Sequence, residues 1–154
     1  MTGEVLHIHV APTAESTPAS VNSVRAEAGR GLEGDRYYAQ TGTFSEKGGP
    51  GREVTLIAIE AIEELEAEFG VKLASGQSRR NITTLGIDLN DFVDKELRLG
   101  EVVLRGVRLC EPCDHLESLV GQANTMRGLV HRGGLRCDIV SGGTIRIGDQ
   151  ITAA

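Results

Sequence analysis

The residue types most able to do chemistry in this chain stand together in one short segment, Cys110-Glu111-Pro112-Cys113-Asp114-His115. Two thiols separated by two residues, with an imidazole shortly after them, suit three kinds of site. They are a structural zinc centre, a redox dithiol, and a single thiolate that ligates a soft metal or carries sulfur. The spacing alone leaves all three open.

Each kind of site makes its own demand on the rest of the chain. A tetrahedral zinc site needs four ligands, so the segment would require a fourth from Cys137 or His131. A redox dithiol needs a helix N-terminus in a βαβ setting, whereas the sequence around this segment is β-rich. A single thiolate at neutral pH needs nearby positive charge, which the arginines of the chain can supply.

Length and composition restrict the classes of protein to which the chain can belong. Its 154 residues are typical of one domain, so we expect residues 1–154 to form a single domain. Three cysteines, no basic start and no long apolar run predict a cytoplasmic protein with reduced thiols and no membrane span. No basic block or aromatic-basic pattern appears, so we expect no nucleic-acid surface.

Hydrophobic periodicity predicts a mainly β fold with one or two helices. Alternation from Val5 to Val10 indicates a first strand, with Leu6, Ile8 and Val10 on one face and Val5, His7 and His9 on the other. The one clear helix carries an apolar stripe opposite five glutamates and ends at Gly70; the stripe residues are Ile59, Ile62, Leu65 and Phe69.

Further short strands are expected on both sides of this helix. They are Val21 to Ala26, Arg52 to Ile57, a hairpin around Gly100 that includes Val102 to Leu109, and a C-terminal meander with a Gly142-Gly143 turn. Leu116 to Val120 is long enough for one or two helical turns. Many short strands with one helix favour a closed or partly closed barrel over a doubly wound sheet.

Five segments occur in an order that resembles a known family. They are Gly31 to Arg36, Ser78 to Ile82, Gly106 to Cys113, Gly128 to Arg136, and Gly148-Asp149. Together they resemble the MOSC domain, the module named for the C-terminus of molybdenum cofactor sulfurases. The resemblance implies a MOSC-type β-barrel that binds the molybdopterin form of the molybdenum cofactor.

The resemblance also implies roles for particular residues. By its position before Asp114-His115, Cys113 matches the family's essential cysteine, which coordinates molybdenum or carries sulfur to it, and the role of Cys110 stays open. Four residues lie in segments that match cofactor-binding motifs, and two more would line the same site or belong to a plain loop. The first four are Arg36, Arg79, Arg80 and Asn81, and the other two are His131 and Arg132.

The activity implied is reduction of N-hydroxylated small molecules, or a role as a sulfur or cofactor carrier. A reductase of this kind would need a separate electron donor, because no flavin, haem or iron–sulfur motif is present. A carrier would need a sulfur donor protein. Pyridoxal phosphate is not expected, since the chain is too short to include a pyridoxal-dependent domain. The alternative is a zinc-stabilised or cofactor-free β-barrel binding module without catalytic activity.

Overall fold

The computed structural model describes residues 2–13, 16–38, 50–74, 76–110, 129 and 131–154. Within these ranges the chain is mainly β, as the sequence predicts. The elements in chain order are β1 (Gly3–Val10), β2 (Ala19–Val21), β3 (Ser23–Glu27), β4 (Gly31–Leu32), β5 (Val54–Ala58), α1 (Ile59–Phe69), β6 (Ile82–Leu85), a short 3-10 helix (Leu89–Phe92), β7 (Glu96–Leu99), β8 (Val102–Leu109), β9 (Leu135–Ser141), β10 (Gly143–Arg146) and β11 (Gln150–Ala153).

Seven strands close into a barrel. They follow one another around the ring in the order β11, β7, β8, β9, β5, β6 and β1, and β1 pairs with β11 to complete it. Neighbouring strands are antiparallel except β5 and β6, which run parallel. A parallel pair needs a crossover connection, and α1 with the segment after it supplies one. The expected β-barrel is confirmed.

The barrel interior is aliphatic, and a second sheet adds to it. Strands β10, β3 and β4 form that smaller sheet, whose Val24, Leu32 and Ile145 belong to the same buried cluster as the residues inside the barrel. Cys137 is fully buried in this cluster, between the strands that flank β9. A small apolar thiol suits such a position.

Helix α1 packs on the outside of the barrel. Leu65 is fully buried against Ile57 of β5 and Leu129. Four of the five glutamates are exposed, and the fifth, Glu60, is half-buried and accepts the N–H of Gly86 at 2.9 Å. The helix ends at Gly70, which has a φ of 67° and donates its N–H to the Glu66 carbonyl. The left-handed conformation favours glycine and explains the stop. No helix within the described ranges is long and apolar enough to cross a membrane.

The first strand does not alternate as its sequence suggests. The pairing register between β1 and β6 shifts between Val5 and His7, so Leu6 is an extra, bulged residue. Because of this bulge Val5 and Ile8 both point into the core with no exposed surface. The expectation that Val5 shares a face with His7 and His9 is therefore wrong.

Two other sequence expectations need correction. The predicted strand from Val21 to Ala26 is divided at Asn22 between β2 and β3, which lie in different sheets. The C-terminal strands exist but do not form a meander, since β10 pairs with β3 and not with β9 or β11. The reason is the Gly142-Gly143 pair, which lets the chain leave the barrel in close contact with the Ala26 carbonyl, where a Cβ on Gly142 would approach to 2.7 Å. Leu116 to Val120 lies outside the described residues.

Candidate functional site

The cysteine segment begins at Cys110, directly after the end of β8. Cys110 has no exposed surface, and its N–H donates to the Gly134 carbonyl at 2.7 Å. Its own carbonyl accepts a bond from the Arg80 guanidinium at 3.3 Å. Cys113 and His115 follow at once but lie outside the described residues, so the role predicted for Cys113 stays a prediction.

Arg80 braces the two chain segments that meet at this end of the barrel. Its Nε donates to the Gly133 carbonyl at 2.8 Å, in addition to the bond to Cys110. The residue is 9% exposed, so its charge is held next to the backbone of Cys110 with little screening by water. A guanidinium group is suited to this task because it carries five N–H donors in a fixed plane.

Asn81 connects two strands of the barrel through its side chain. The amide oxygen accepts bonds from the backbone N–H and the hydroxyl of Thr55, at 3.1 and 3.2 Å. The amide nitrogen donates to the His9 carbonyl at 3.2 Å. This side chain holds β5 and β1 on either side of the segment that leads into β6, which is a structural role that the sequence motif did not reveal.

The two remaining arginines of the first predicted group lie on neighbouring loops. Arg79 has a φ of 60°, uncommon for a residue with a side chain, and its Nη1 donates to the Ser16 carbonyl at 2.7 Å. Arg36 is largely buried, pairs with Asp35 at 3.2 Å, and lies 4.9 Å from the centre of the Tyr37 ring. Both loops contact the chain that follows β1. The Asp35 carboxylate accepts the N–H of Ala11, and Ser16, which Arg79 contacts, lies five residues further on.

His131 and Arg132 belong to a different part of the surface. They line a cavity of about 460 Å³ between α1 and the 3-10 helix. Arg132 forms ion pairs with Glu64 and Glu68 of α1 at 2.7 and 2.9 Å, and these contacts raise the pKa of Arg132 and lower that of Glu68. His131 adopts a φ of 61°, and its carbonyl accepts a bond from Asn90 at 2.9 Å. The predicted cofactor residues therefore fall into two groups.

Sequence reasoning missed a cluster of three arginines next to Cys110. Arg108 and Arg136 stand directly opposite one another on β8 and β9. Arg136 lies between Leu135 and Cys137, which are both fully buried, so these two arginines point to the outer face of the barrel. Burial lowers the pKa of Arg52, and so do the charges of Arg136 and Arg108, whereas Tyr37 and Cys110 raise it.

Gly51 explains how the three arginines fit together. A Cβ placed on this residue would lie 2.8 Å from Nη1 of Arg108 and 3.4 Å from Cβ of Arg136. The same Nη1 donates to the Pro50 carbonyl at 2.8 Å. The backbone before Arg52 thus passes directly over the cross-strand pair. The sequence offered one signal for this arrangement, the glycine-rich approach to β5, but the register that brings Arg108 to Arg136 is a tertiary feature.

The two histidines of β1 and Cys137 form no metal-binding cluster with other side chains in the described ranges. The rings of His7 and His9 are 6.1 Å apart on the outer side of β1, and burial, followed by the charge of His7, lowers the pKa of His9. Burial raises the pKa of the Cys137 thiol, which disfavours the thiolate that a metal would require. No group of three or more His, Cys, Asp or Glu side chains that could hold a metal ion occurs among the residues described.

Comparison with known families decides where the chain belongs. The family model of the MOSC domain matches residues 44–152. The chain belongs to the MOSC family. A search of curated proteins finds no match. MOSC domains are associated with proteins of molybdenum cofactor chemistry.

Solved structures have the same fold as this MOSC chain. The YUAD protein from Bacillus subtilis superimposes with a TM-score of 0.82 at 17% identity, covering 98% of this chain and 94% of that one. YiiM from Geobacillus stearothermophilus gives a TM-score of 0.73 at 15% identity, covering 99% and 75%. YiiM from Escherichia coli gives 0.69 at 17% identity, covering 100% and 70%. At these identities the likeness establishes the fold.

The described residues next to Cys110 fit an anionic, sulfur-rich cofactor. Four guanidinium groups, those of Arg52, Arg80, Arg108 and Arg136, lie at or near the end of β8. Guanidinium groups bind phosphate oxygens through paired hydrogen bonds, and a cysteine thiolate is a ligand that suits a metal held by sulfur. The guanidinium groups at this end of the barrel are therefore compatible with an anionic cofactor such as molybdopterin.

Proposed function

We propose that this MOSC protein binds the molybdopterin form of the molybdenum cofactor at the end of β8, with Cys113 as the sulfur ligand of the metal. The observation that supports the proposal is the convergence of guanidinium groups on Cys110, three residues before Cys113. Positive charge at this place favours a thiolate over a thiol in the segment that follows. It also favours an anionic cofactor over a neutral one.

The chain's own residues would divide the work of holding the cofactor. Arg80 fixes the backbone from which the cysteine segment starts, and Asn81 fixes the strands beneath it. Arg36 and Arg79, on the loops near β1, would contact the polar edge of the pterin. When bound, the cofactor would supply a metal that changes its oxidation state. His131 and Arg132 line the separate cavity next to α1, so they would not contact a cofactor held at the end of β8.

Two activities follow from this proposal, and they differ in what must reach the site. As a reductase of N-hydroxylated small molecules, the protein would receive electrons from a separate donor protein. As a sulfur or cofactor carrier, it would exchange with a sulfur donor or with a cofactor-dependent enzyme. In both, Cys113 is the residue that contacts the transferred or bound sulfur-ligated group. We place the protein in the cytoplasm, where these reactions would take place under reducing conditions.

Metal and pterin analysis tests the proposal directly. The protein is purified from a host that makes molybdenum cofactor, and its molybdenum, zinc and oxidised pterin contents are measured for the wild type, Cys113→Ser and Cys137→Ser. We expect molybdenum and pterin in equal amounts in the wild type, and loss of molybdenum in Cys113→Ser with an unchanged circular dichroism spectrum. Cys137→Ser, in the core cluster, should keep molybdenum in whatever fraction folds.

The same experiment identifies the rival function. Stoichiometric zinc without molybdenum or pterin, together with unfolding of Cys113→Ser, would establish a zinc-stabilised binding module and refute the cofactor proposal. For protein that does retain molybdenum, turnover of an N-hydroxylated purine with a supplied reductant separates the reductase from the carrier. A reductase consumes the purine, and Cys113→Ser abolishes that consumption.

A further inference from the structure

The cavity between α1 and the 3-10 helix combines aliphatic walls with acidic groups. Its lining includes the aliphatic side chains of Ala61, Ile87 and Leu89 and the carboxylates of Glu60, Glu64 and Asp88. Its volume of about 460 Å³ is in the range of sites that enclose a small organic molecule. Such sites usually combine an apolar wall with a few polar groups that orient the ligand.

Glu60 places a carboxylate at the wall of this cavity with one of its oxygens bonded. The residue is half-buried, and its Oε2 accepts the N–H of Gly86 at 2.9 Å. Its Oε1 is buried and meets no hydrogen-bond donor among the described residues. Buried carboxylate oxygens normally accept a hydrogen bond, because leaving one without a donor is costly. A ligand that brings an N–H donor into the cavity would supply this bond.

The charged groups around the cavity favour a cation. Arg132 is the one arginine or lysine among the described lining residues, and it is bound to Glu64 and Glu68 at 2.7 and 2.9 Å. Its single positive charge is shared by those two carboxylates and does not offset Glu60 or Asp88. The Asp88 carboxylate caps the 3-10 helix by accepting the N–H of Asn90 at 3.2 Å, so the helix fixes its position.

An organic cation fits this lining better than a metal ion does. The part of the chain that the structure describes has no group of three His, Cys, Asp or Glu side chains suited to a metal ion. A hard metal ion takes oxygen ligands on all sides and gains nothing from aliphatic walls. An organic cation, by contrast, gains free energy when its carbon atoms are buried against such walls.

We propose that this cavity binds a small organic cation that carries a primary ammonium group on a compact apolar body. The ammonium group has three N–H donors and a full positive charge, which suit the carboxylates of Glu60 and Asp88. The apolar body would lie against Ala61, Ile87 and Leu89. Hydrogen bonds between two charged groups are stronger than neutral ones, so the cation should bind more tightly than an alcohol of the same shape. A carboxylic acid of that shape should be repelled.

This site is distinct from the end of β8, although one loop contributes to both. Gly134 lines the cavity, and its carbonyl accepts the N–H of Cys110. The preceding carbonyl, that of Gly133, accepts the bond from Arg80. Backbone atoms of this loop hold the cysteine segment, whereas side chains of α1 and of the 3-10 helix cap would hold the cation. The inference goes beyond the proposed function, since binding of the cation needs neither molybdenum nor pterin.

Titration of the purified full chain with three ligands of similar shape tests the site. Benzylamine, benzyl alcohol and benzoate carry a positive, a neutral and a negative group on the same ring. Binding is followed by the amide NMR signals of Gly86, whose N–H contacts Glu60, and of Asn90, whose N–H contacts Asp88. We expect benzylamine to shift both signals, benzyl alcohol to bind at least tenfold more weakly, and benzoate to shift neither.

Three variants examine the role of the carboxylates. Glu60→Gln keeps an oxygen for the Gly86 N–H and should weaken benzylamine binding about tenfold, because a charge-assisted contact is lost. Asp88→Asn keeps the oxygen that caps the 3-10 helix and should weaken binding about threefold, because Asp88 is exposed to water. Glu63→Gln is the matched control, since Glu63 is exposed on the same helix and does not line the cavity. It should bind benzylamine as the wild type does.

The ligand series and the variants give independent grounds for rejection. Equal affinity for benzylamine and benzyl alcohol, or shifts of both signals by benzoate, would overturn the proposal. So would equal benzylamine binding by the wild type and Asp88→Asn, and this comparison stands even if Glu60→Gln fails to fold. If benzylamine binds as expected but molybdenum and pterin never copurify, the cation site stands and the cofactor proposal fails. If the cofactor copurifies and the cavity shows no preference for the cation, this inference alone fails.

Discussion

Replacing Asn81 by aspartate tests how the strands beneath the candidate site are held together. The change keeps the shape of the side chain and keeps an oxygen that can accept both bonds from Thr55. It replaces the amide nitrogen, which donates to the His9 carbonyl at 3.2 Å, by an oxygen that cannot donate when ionised. The residue is 3% exposed, so the new charge has almost no contact with water.

Two effects determine the size of the expected loss. A lost neutral hydrogen bond costs about 1 kcal/mol. Burial raises the pKa of the introduced carboxyl group, and a rise of about two units above the usual value costs roughly 2.7 kcal/mol at neutral pH. We therefore expect Asn81→Asp to lower the free energy of unfolding by roughly 3–4 kcal/mol at about pH 7.5.

The penalty should shrink in acid. Because the pKa of the carboxyl is higher in the folded state, the folded protein binds more protons than the unfolded chain between the two pKa values. Stability relative to the wild type therefore rises as the pH falls through the raised pKa. The protonated carboxyl can also donate to the His9 carbonyl, and we expect roughly 2 kcal/mol to be recovered by about pH 4.5.

Urea unfolding at the two pH values measures both parts of this prediction. Asn90→Asp is the matched control, because Asn90 donates to the His131 carbonyl at 2.9 Å but lies on the surface. Its penalty should be small and nearly independent of pH. A loss below about 1 kcal/mol for Asn81→Asp, or a penalty that grows in acid, would falsify the view that this amide joins β1 to β5.

Three other predictions follow from the fold. Burial raises the pKa of Glu53, so its ionised form destabilises the fold at pH values above the usual carboxyl pKa. Glu53→Gln keeps the oxygen that accepts the backbone hydrogen bonds. In urea unfolding this variant should be more stable than the wild type at pH 7 but not below about pH 4. Gly134→Ala should prevent folding, as seen by circular dichroism, because Gly134 has a φ of 110° and the added Cβ would overlap the carbonyl of a neighbouring strand. Gly148→Ala is the control and should cost only about 1 kcal/mol, because no atom lies within 4 Å of its added Cβ. Similar behaviour of the two variants would contradict this reasoning. Burial also raises the pKa of the Cys137 thiol, so Cys137 should resist alkylation in the native protein and react in urea. Mass spectrometry of the modified peptide measures the labelling. Rapid labelling of the native protein would show that the prediction is wrong.

The sequence predicts those elements whose signals are local. Helix α1 is found where its apolar residues recur at helical spacing, and Gly70 ends it because the final residue needs a left-handed conformation. The hairpin of β7 and β8 turns at Gly100, as the glycine predicts. A bulge is different, because Leu6 is apolar like Val5 and Ile8, and nothing in the alternating pattern marks it as the extra residue.

The candidate site was predictable in its residue types and less so in their arrangement. Arg80 and Asn81 lie in one of the motifs on which the resemblance rests, but the motif does not distinguish a side chain that contacts a ligand from one that holds strands together. Arg108 and Arg136 meet only through the register of β8 and β9, which depends on another bulge between Gly106 and Arg108. A pairing of this kind is fixed by tertiary packing, so sequence spacing could not reveal it.

The closure of the barrel by its first and last strands has a consequence for biosynthesis. The pairing of Gly3 with Ile151 cannot form until residues 150–153 have left the ribosome, although β1 is available from the start. Until then β1 and β7 each have an unpaired edge that can recruit a strand from another chain. The β5–α1–β6 unit contains its own crossover and can assemble earlier. Overexpression should therefore favour aggregation of incomplete chains, and a lower expression level should raise the yield of soluble protein.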